Sequence, residues 1–111
     1  MGKFEITKRS NGDYQFNLKA TNGQVILSSQ GYKSKATCEN GVDSVRKNSA
    51  DDSKFERKKS TNAKWYFNLK ATNGQVVGTS EMYESEAGME NGISSVKKNA
   101  PDAKVEDKSG D

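Results

Sequence analysis

The ten residues Phe16–Val25 read FNLKATNGQV, and the same ten return unchanged as Phe67–Val76. Within the block, Phe16, Leu18 and Ala20 alternate with Asn17 and Lys19, the period of two expected of a strand with one buried face. Asn22-Gly23 and Asn73-Gly74 then mark where each chain segment reverses. A two-residue type I′ turn needs positive φ at both central positions, which Asn tolerates and Gly adopts freely. Such a turn sets Ala20 opposite Val25, Leu18 opposite Leu27 and Phe16 opposite Ser29. Tyr14, Phe16, Leu18, Ala20, Val25 and Leu27 then share an inward face, while Gln15, Asn17, Lys19, Gln24 and Ser28 point outward. The second block predicts Trp65, Phe67, Leu69, Ala71 and Val76 inward, with Tyr66, Asn68, Lys70 and Thr79 outward. One apolar and one polar face describes an antiparallel sheet covered on a single side.

Working outward, Phe4 and Ile6 alternate with polar neighbours and form a first strand. A three-residue loop, Ser10-Asn11-Gly12, sets Ile6 opposite Phe16 and Phe4 opposite Leu18, as a type I turn closed by a bulge. Ala63 stands where Gly12 does, which leaves room for a different loop in the second copy. Downstream, Ser34 is the expected N-cap of a helix reaching Asn48, with Ala36, Cys38, Val42 and Val45 inward. The second copy begins at Lys54-Phe55-Glu56, with strands near Phe55–Lys59, Lys64–Ala71 and Gln75–Ser80. Its helix spans about Ser85 to Asn99, with Ala87, Met89, Ile93 and Val96 inward and Pro101 as the stop.

Between Phe16–Ala50 and Phe67–Pro101, 21 of 35 aligned residues are identical, so the two segments share one fold. Lys104-Val105-Glu106 starts the first-strand motif a third time and reads as one further strand at a sheet edge. About fifty residues bury too little surface to stand comfortably alone. The expected protein is therefore α+β: two tandem β-β-β-α repeats, residues 1–51 and 52–111, forming a pseudo-twofold fused dimer with a short C-terminal edge strand.

Composition narrows the function classes. The chain has 111 residues and a formal net charge of +3, too small an excess to single out nucleic acid as a partner. Histidine is absent, which removes the commonest general base and metal ligand. The single cysteine, Cys38, has no intramolecular disulfide partner and points to a reducing compartment. On the inward side of a helix, opposite Met89 in the other copy, it reads as a small buried hydrophobe and not as a nucleophile. No glycine-rich phosphate loop, metal-ligand spacing, signal peptide or membrane-spanning run appears, and Ile6 stands where a myristoylation motif needs Ser or Thr. The expectation is a cytoplasmic, non-enzymatic monomer with internal symmetry, no metal and no cofactor.

The tandem FNLKATNGQV blocks, each followed by Y-x-S-x-A and then E-N-G-[IV]-x-S-V, resemble the duplicated YegP-like family of small bacterial proteins. The resemblance runs from Phe4 to Glu106. It implies an α+β repeat fold and a bacterial cytoplasmic origin, and brings no catalytic or ligand residues with it.

Three features invite a functional reading. Tyr66, Asn68 and Lys70 line one outward strand, with Lys58 expected beside them. An aromatic among amide and basic side chains is how a sheet holds single-stranded nucleic acid. The first copy has Gln15 in place of Tyr66, so a solvated face or a copy-to-copy interface competes with that reading. Asn40-Gly41 and Asn91-Gly92 fall inside helices, where both residue types are unfavourable; close approach of helix to sheet or of helix to helix, with the Asn side chains serving nearby backbone, accounts for them ahead of a ligand site. Lys33 and Lys35 become Glu84 and Glu86 in the second copy, which reads as surface drift or as an oriented contact with a charged partner. The expected function is an interaction or structural module of unknown role, open to an unknown protein partner, and weak single-stranded nucleic-acid binding is its alternative.

Overall fold

The computed structural model describes residues 2–110. Seven strands and two helices follow in the order β1 (Lys3–Lys8), β2 (Tyr14–Lys19), β3 (Val25–Ser28), α1 (Lys35–Asn48), β4 (Phe55–Lys59), β5 (Trp65–Lys70), β6 (Val76–Thr79), α2 (Glu86–Asn99) and β7 (Lys104–Asp107). A 3-10 turn, Asp52–Lys54, leads into β4. All seven strands form one sheet in the order β4-β5-β6-β3-β2-β1-β7. The copies join edge to edge, through the antiparallel pairing of β3 with β6 at Ser28–Thr79. Each helix crosses that seam. α1 packs on β2 of its own copy and on β5 and β6 of the other, while α2 packs on β5 and β3.

The pairing of β1 with β2 sets Phe4 opposite Leu18 and Ile6 opposite Phe16, as the alternation demands. β7 adds to the outer edge of β1 in parallel, with Val105 beside Phe4. Phe4, Ile6, Phe16, Leu18, Phe67, Leu69, Cys38 and Met89 are all fully buried in a core continuous across both copies. Ser34 caps α1, its side chain accepting from Thr37 N–H, and Ser85 does the same for α2 through Gly88 N–H.

The hairpin turns differ from expectation. Gly23 N–H donates to Ala20 O at 2.9 Å, and Gln24 O accepts from Ala20 N–H. Gly23 alone takes positive φ, at 85°, while Asn22 accepts from Gln24 N–H through its own side chain. This is a type I turn closed by a glycine bulge, not a type I′ turn. The extra residue shifts the register, so Leu18 faces Leu27 but Lys19 faces Val25. Parity therefore inverts beyond Leu27. Ile26, and Val77 in the second copy, are buried in place of the expected Val25 and Val76, and Val76 is exposed. The Ser10-Asn11-Gly12 loop forms as expected, with Gly12 at φ 89°. Ala63 adopts the same left-handed conformation, φ 67°, so both copies keep one loop geometry.

On the helices, Ala36 and Ala87 are exposed, contrary to the inward assignment. At 100° per residue, Ala36 lies about 200° round the helix from Cys38, off the buried stripe. Gly41 and Asn48 complete that stripe in α1, and Gly92 and Asn99 in α2. A Cβ on Gly41 would stand 2.5 Å from Tyr32 Oη and 2.9 Å from Phe16 Cε2, and one on Gly92 would collide with Tyr83 Oη. The expected close approach of helix to sheet is thus confirmed, with a tyrosine hydroxyl as the obstacle. The Asn40 and Asn91 side chains hydrogen-bond no backbone group among the described residues, so that part of the expectation fails.

Candidate functional site

Because both helices cover one side of the sheet, the other side is an uncovered polar surface. The alternation of β5 sends Tyr66, Asn68 and Lys70 there, and cross-strand pairing places Lys58 directly opposite Tyr66 and Glu56 opposite Asn68. The four residues singled out in the sequence are therefore brought together. Their charges are already engaged. Glu56 takes an ion pair from Lys70 at 3.0 Å and from Lys58 at 3.9 Å, and Asn68 Nδ2 donates to it at 3.2 Å. These hydrogen bonds hold the Glu56 carboxyl below its usual pKa, Asn68 first and Lys70 second. Asn68 Oδ1 also accepts from Thr79 at 2.8 Å. Tyr66 is half-buried on the open face. The copies meet edge to edge, so this face is not the interface between them.

The first copy builds a different cluster at the equivalent place. Glu5 lies 3.0 Å from Lys19, 3.1 Å from Lys108 and 3.4 Å from Lys3, and is itself only 5% exposed. Lys108 follows β7, which has no counterpart beside β4. Chain order alone gave no signal of that cluster, because it depends on a parallel strand returning from the far end of the chain to set Lys104 beside Lys3.

The charge contrast between the copies is compensated internally. Lys33 pairs with Asp13 at 3.6 Å, and at the equivalent positions Glu84 pairs with Lys64. Both partners reverse sign together. Lys35 pairs with Asp107 of β7 at 2.6 Å. These contacts account for Lys33, Lys35 and Glu84 without a charged partner.

Two further hollows were missed by the sequence reading, although all but one of their residue pairs recur unchanged in both copies. Each lies between the Thr-Asn-Gly turn of one copy and the helix of the other. One, of about 380 Å³, is lined by Thr21, Asn22, Asn91, Ser95, Lys98 and Asn99. The other, of about 410 Å³, is lined by Thr72, Asn73, Asn40, Ser44, Lys47 and Asn48. The turn and the helix are locked by Thr21–Asn99 at 3.5 Å and Thr72–Asn48 at 3.4 Å.

No group of three or more potential metal ligands occurs among the described residues. Cys38 is fully buried, and burial pushes its thiol up to about 11, against nucleophilic use. Among the described residues, no helix is long and apolar enough to cross a membrane.

A family model described as a domain of unknown function, DUF1508, matches residues 10–56 and again 60–107. Each match begins ahead of the second strand of a copy and ends in the strand after its helix. A UPF0339 protein from the 5′ region of the ptx operon of Stutzerimonas stutzeri is 59% identical, the alignment covering 94% of each chain. The UPF0339 protein YegP of Escherichia coli K12 is 46% identical over 96% of each. The solution NMR structure of E. coli yegP, a protein of unknown function, superposes with TM-score 0.94 at 45% identity, covering 99% of this chain and 95% of that one. The UPF0339 protein SO3888 of Shewanella oneidensis gives TM-score 0.94 at 43% identity, covering 99% and 93%. With both repeats matched and the whole architecture shared, the chain belongs to the uncharacterised, YegP-like DUF1508 family of bacterial proteins.

Proposed function

We propose that the chain is a non-enzymatic interaction module of the cytoplasm that presents the uncovered side of its sheet to a protein partner. The observation that carries this is the one-sided architecture: seven strands form a continuous surface, and both helices lie on the opposite side. Along its middle run Gln15, Asn17, Asn68 and Thr79, amide and hydroxyl groups suited to hydrogen bonding, flanked by paired charges. The burial of Cys38 and the pairing of Glu5 and Glu56 with lysines support the non-enzymatic part, since neither nucleophile nor free carboxylate gathers there.

A Gln15→Glu, Tyr66→Glu variant tests this reading. It is expected to melt within a few degrees of the parent protein and to lose partners cross-linked to the parent in the native cell. Retention of the same partners by the folded variant would refute it.

Direct adjacency of Lys58 and Tyr66 favours single-stranded nucleic acid as a second reading. In that case Tyr66→Ala weakens oligonucleotide binding by about 1–3 kcal/mol, the range for one stacked base. Anisotropy at low salt decides, and because Glu56 pairs with Lys70 and lies 3.9 Å from Lys58, leaving only one net positive charge among the three groups, we expect no binding.

A further inference from the structure

The two hollows between turn and helix combine constancy with idle functional groups. Of the eight residue pairs that line them, seven are identical between copies: Ala20/Ala71 and the six polar pairs Thr21/Thr72, Asn22/Asn73, Asn91/Asn40, Ser95/Ser44, Lys98/Lys47 and Asn99/Asn48. The core beneath has diverged over the same interval, with Cys38 against Met89, Val42 against Ile93 and Ile26 against Val77. Four of the six polar pairs are exposed, and exposed polar positions ordinarily drift faster than packed ones, so this pattern asks for a cause.

Structure explains four of the six. Thr and the terminal Asn form the lock, and Asn22 and Asn73 close their own turns. Ser95 and Ser44 accept from Asn99 and Asn48, at 2.8 Å to the carbonyl and 3.2 Å to the hydroxyl. Lys98 and Lys47, with Asn91 and Asn40, make no hydrogen bond or ion pair among the described residues. A lysine in the last turn offsets the helix dipole, but Lys97 and Arg46 already do so in the same turns. The Asn residues have no such duty and lower helix propensity.

The free groups in the first hollow are mostly donors: the Lys98 ammonium, the Asn91 amide, the Ser94 hydroxyl and the Asn22 NH2, whose carbonyl oxygen is spent on Gln24. Ser94 is where the twins differ. Asp43 takes its place in the second hollow, where it adds a carboxylate one turn before Lys47 and pairs with Arg46 at 3.4 Å. One carboxylate, Asp102, sits in an adjoining hollow with Thr21, Lys98 and Asn99.

We propose that the hollow between the Thr21-Asn22 turn and α2 binds a small oxyanion, carboxylate or phosphate, and that Asp43 suppresses the same activity in its twin. Lys98 supplies the charge, and Asn91, Ser94 and Asn22 supply directed hydrogen bonds. The uncovered sheet face plays no part, so this site stands or falls separately from the function proposed above.

Amide shifts in 15N-resolved NMR spectra give the test, with inorganic phosphate and succinate titrated separately at constant ionic strength. We expect saturable shifts in residues 20–22 and 91–99, with the tighter of the two probes naming the anion class. Lys98→Ala should weaken binding at least tenfold, Ser94→Asp should abolish it, and Asp102→Asn should strengthen it. Asp43→Ser should create a second saturable site at residues 40–48 and 71–73. Each of these exposed changes leaves the fold checkable from the rest of the spectrum. Non-saturating shifts spread over all lysine-bearing surfaces, or equal response of both hollows in the parent, would overturn the proposal. So would unchanged binding in Lys98→Ala.

Discussion

Glu5 shows how much one residue's environment depends on what the rest of the chain brings to it. Its counterpart Glu56 is half-buried on the edge strand β4, whereas Glu5 is covered by β7 and ringed by Lys19, Lys3 and Lys108. The hydrogen bond from Lys19 is the largest influence, and it outweighs burial to draw the Glu5 pKa from 4.5 to about 2. A folded-state pKa below the unfolded one means the ion cluster stabilises fully above pH 4.5, and that stabilisation fades as pH falls towards 2. Glu5→Gln is therefore expected to cost on the order of 2 kcal/mol at pH 7, after allowing for the partly exposed lysines, and little at pH 2. Urea unfolding of both proteins at the two pH values measures this. Equal losses at both would mean the side chain acts by packing alone.

At the scale of elements, the two outer hairpin loops have the same geometry built from different residues. Gly12 accepts positive φ freely, but Ala63 holds φ 67° against the clash of its Cβ with the neighbouring carbonyl. That conformation costs about 1–2 kcal/mol, against about 0.4–1 kcal/mol gained from a stiffer unfolded chain. Ala63→Gly should thus stabilise the protein by about 0.5–1 kcal/mol, seen as a higher denaturation midpoint with an unchanged slope. A lower midpoint would show that the loop's ladder bonds, Ala63 N–H to Ser60 O and Ser60 N–H to Lys64 O, do not hold the left-handed conformation in solution. The helices repeat the lesson of fixed geometry, since Gly41 and Gly92 persist where Ala would be the better helix former. Tyr32 and Tyr83 occupy the space a Cβ needs.

For the whole molecule, the decisive place is the seam between the copies. Leu27 and Gly78 occupy equivalent positions in β3 and β6, and a Cβ on Gly78 would stand 2.7 Å from Leu27 Cδ2. One large and one absent side chain fill the pseudo-axis. A symmetric pair of first copies would bring two leucines into that space, and a pair of second copies would leave a hole. The fused chain thus escapes a constraint that a homodimer must obey. Leu27→Gly should cost about 3–5 kcal/mol through the cavity, and Gly78→Leu about 1–3 kcal/mol or more through overpacking. The double exchange is expected to recover about 1–3 kcal/mol of the summed loss. Strict additivity in a double-mutant cycle would place the two residues out of contact.

What the sequence determined by itself follows from short-range rules. Alternation in FNLKATNGQV placed the central strands, the Ser10-Asn11-Gly12 loop set the β1–β2 register, Ser34 and Ser85 placed the helix starts, and the offset of the repeats implied the pseudo-twofold axis. The grouping of Lys58, Tyr66, Asn68 and Lys70 was also legible, because cross-strand neighbours follow from register. Tertiary structure decided the rest. A bulge at the Asn-Gly turns moved Ile26 and Val77 into the core, a choice between two turn types that share one sequence signature. Joining the copies through β3 and β6 set each helix over the other copy's turn, and so created the paired hollows and their Thr–Asn locks. Those contacts link residues 24 and 78 positions apart, and no local pattern of hydrophobicity or propensity carries information over that span.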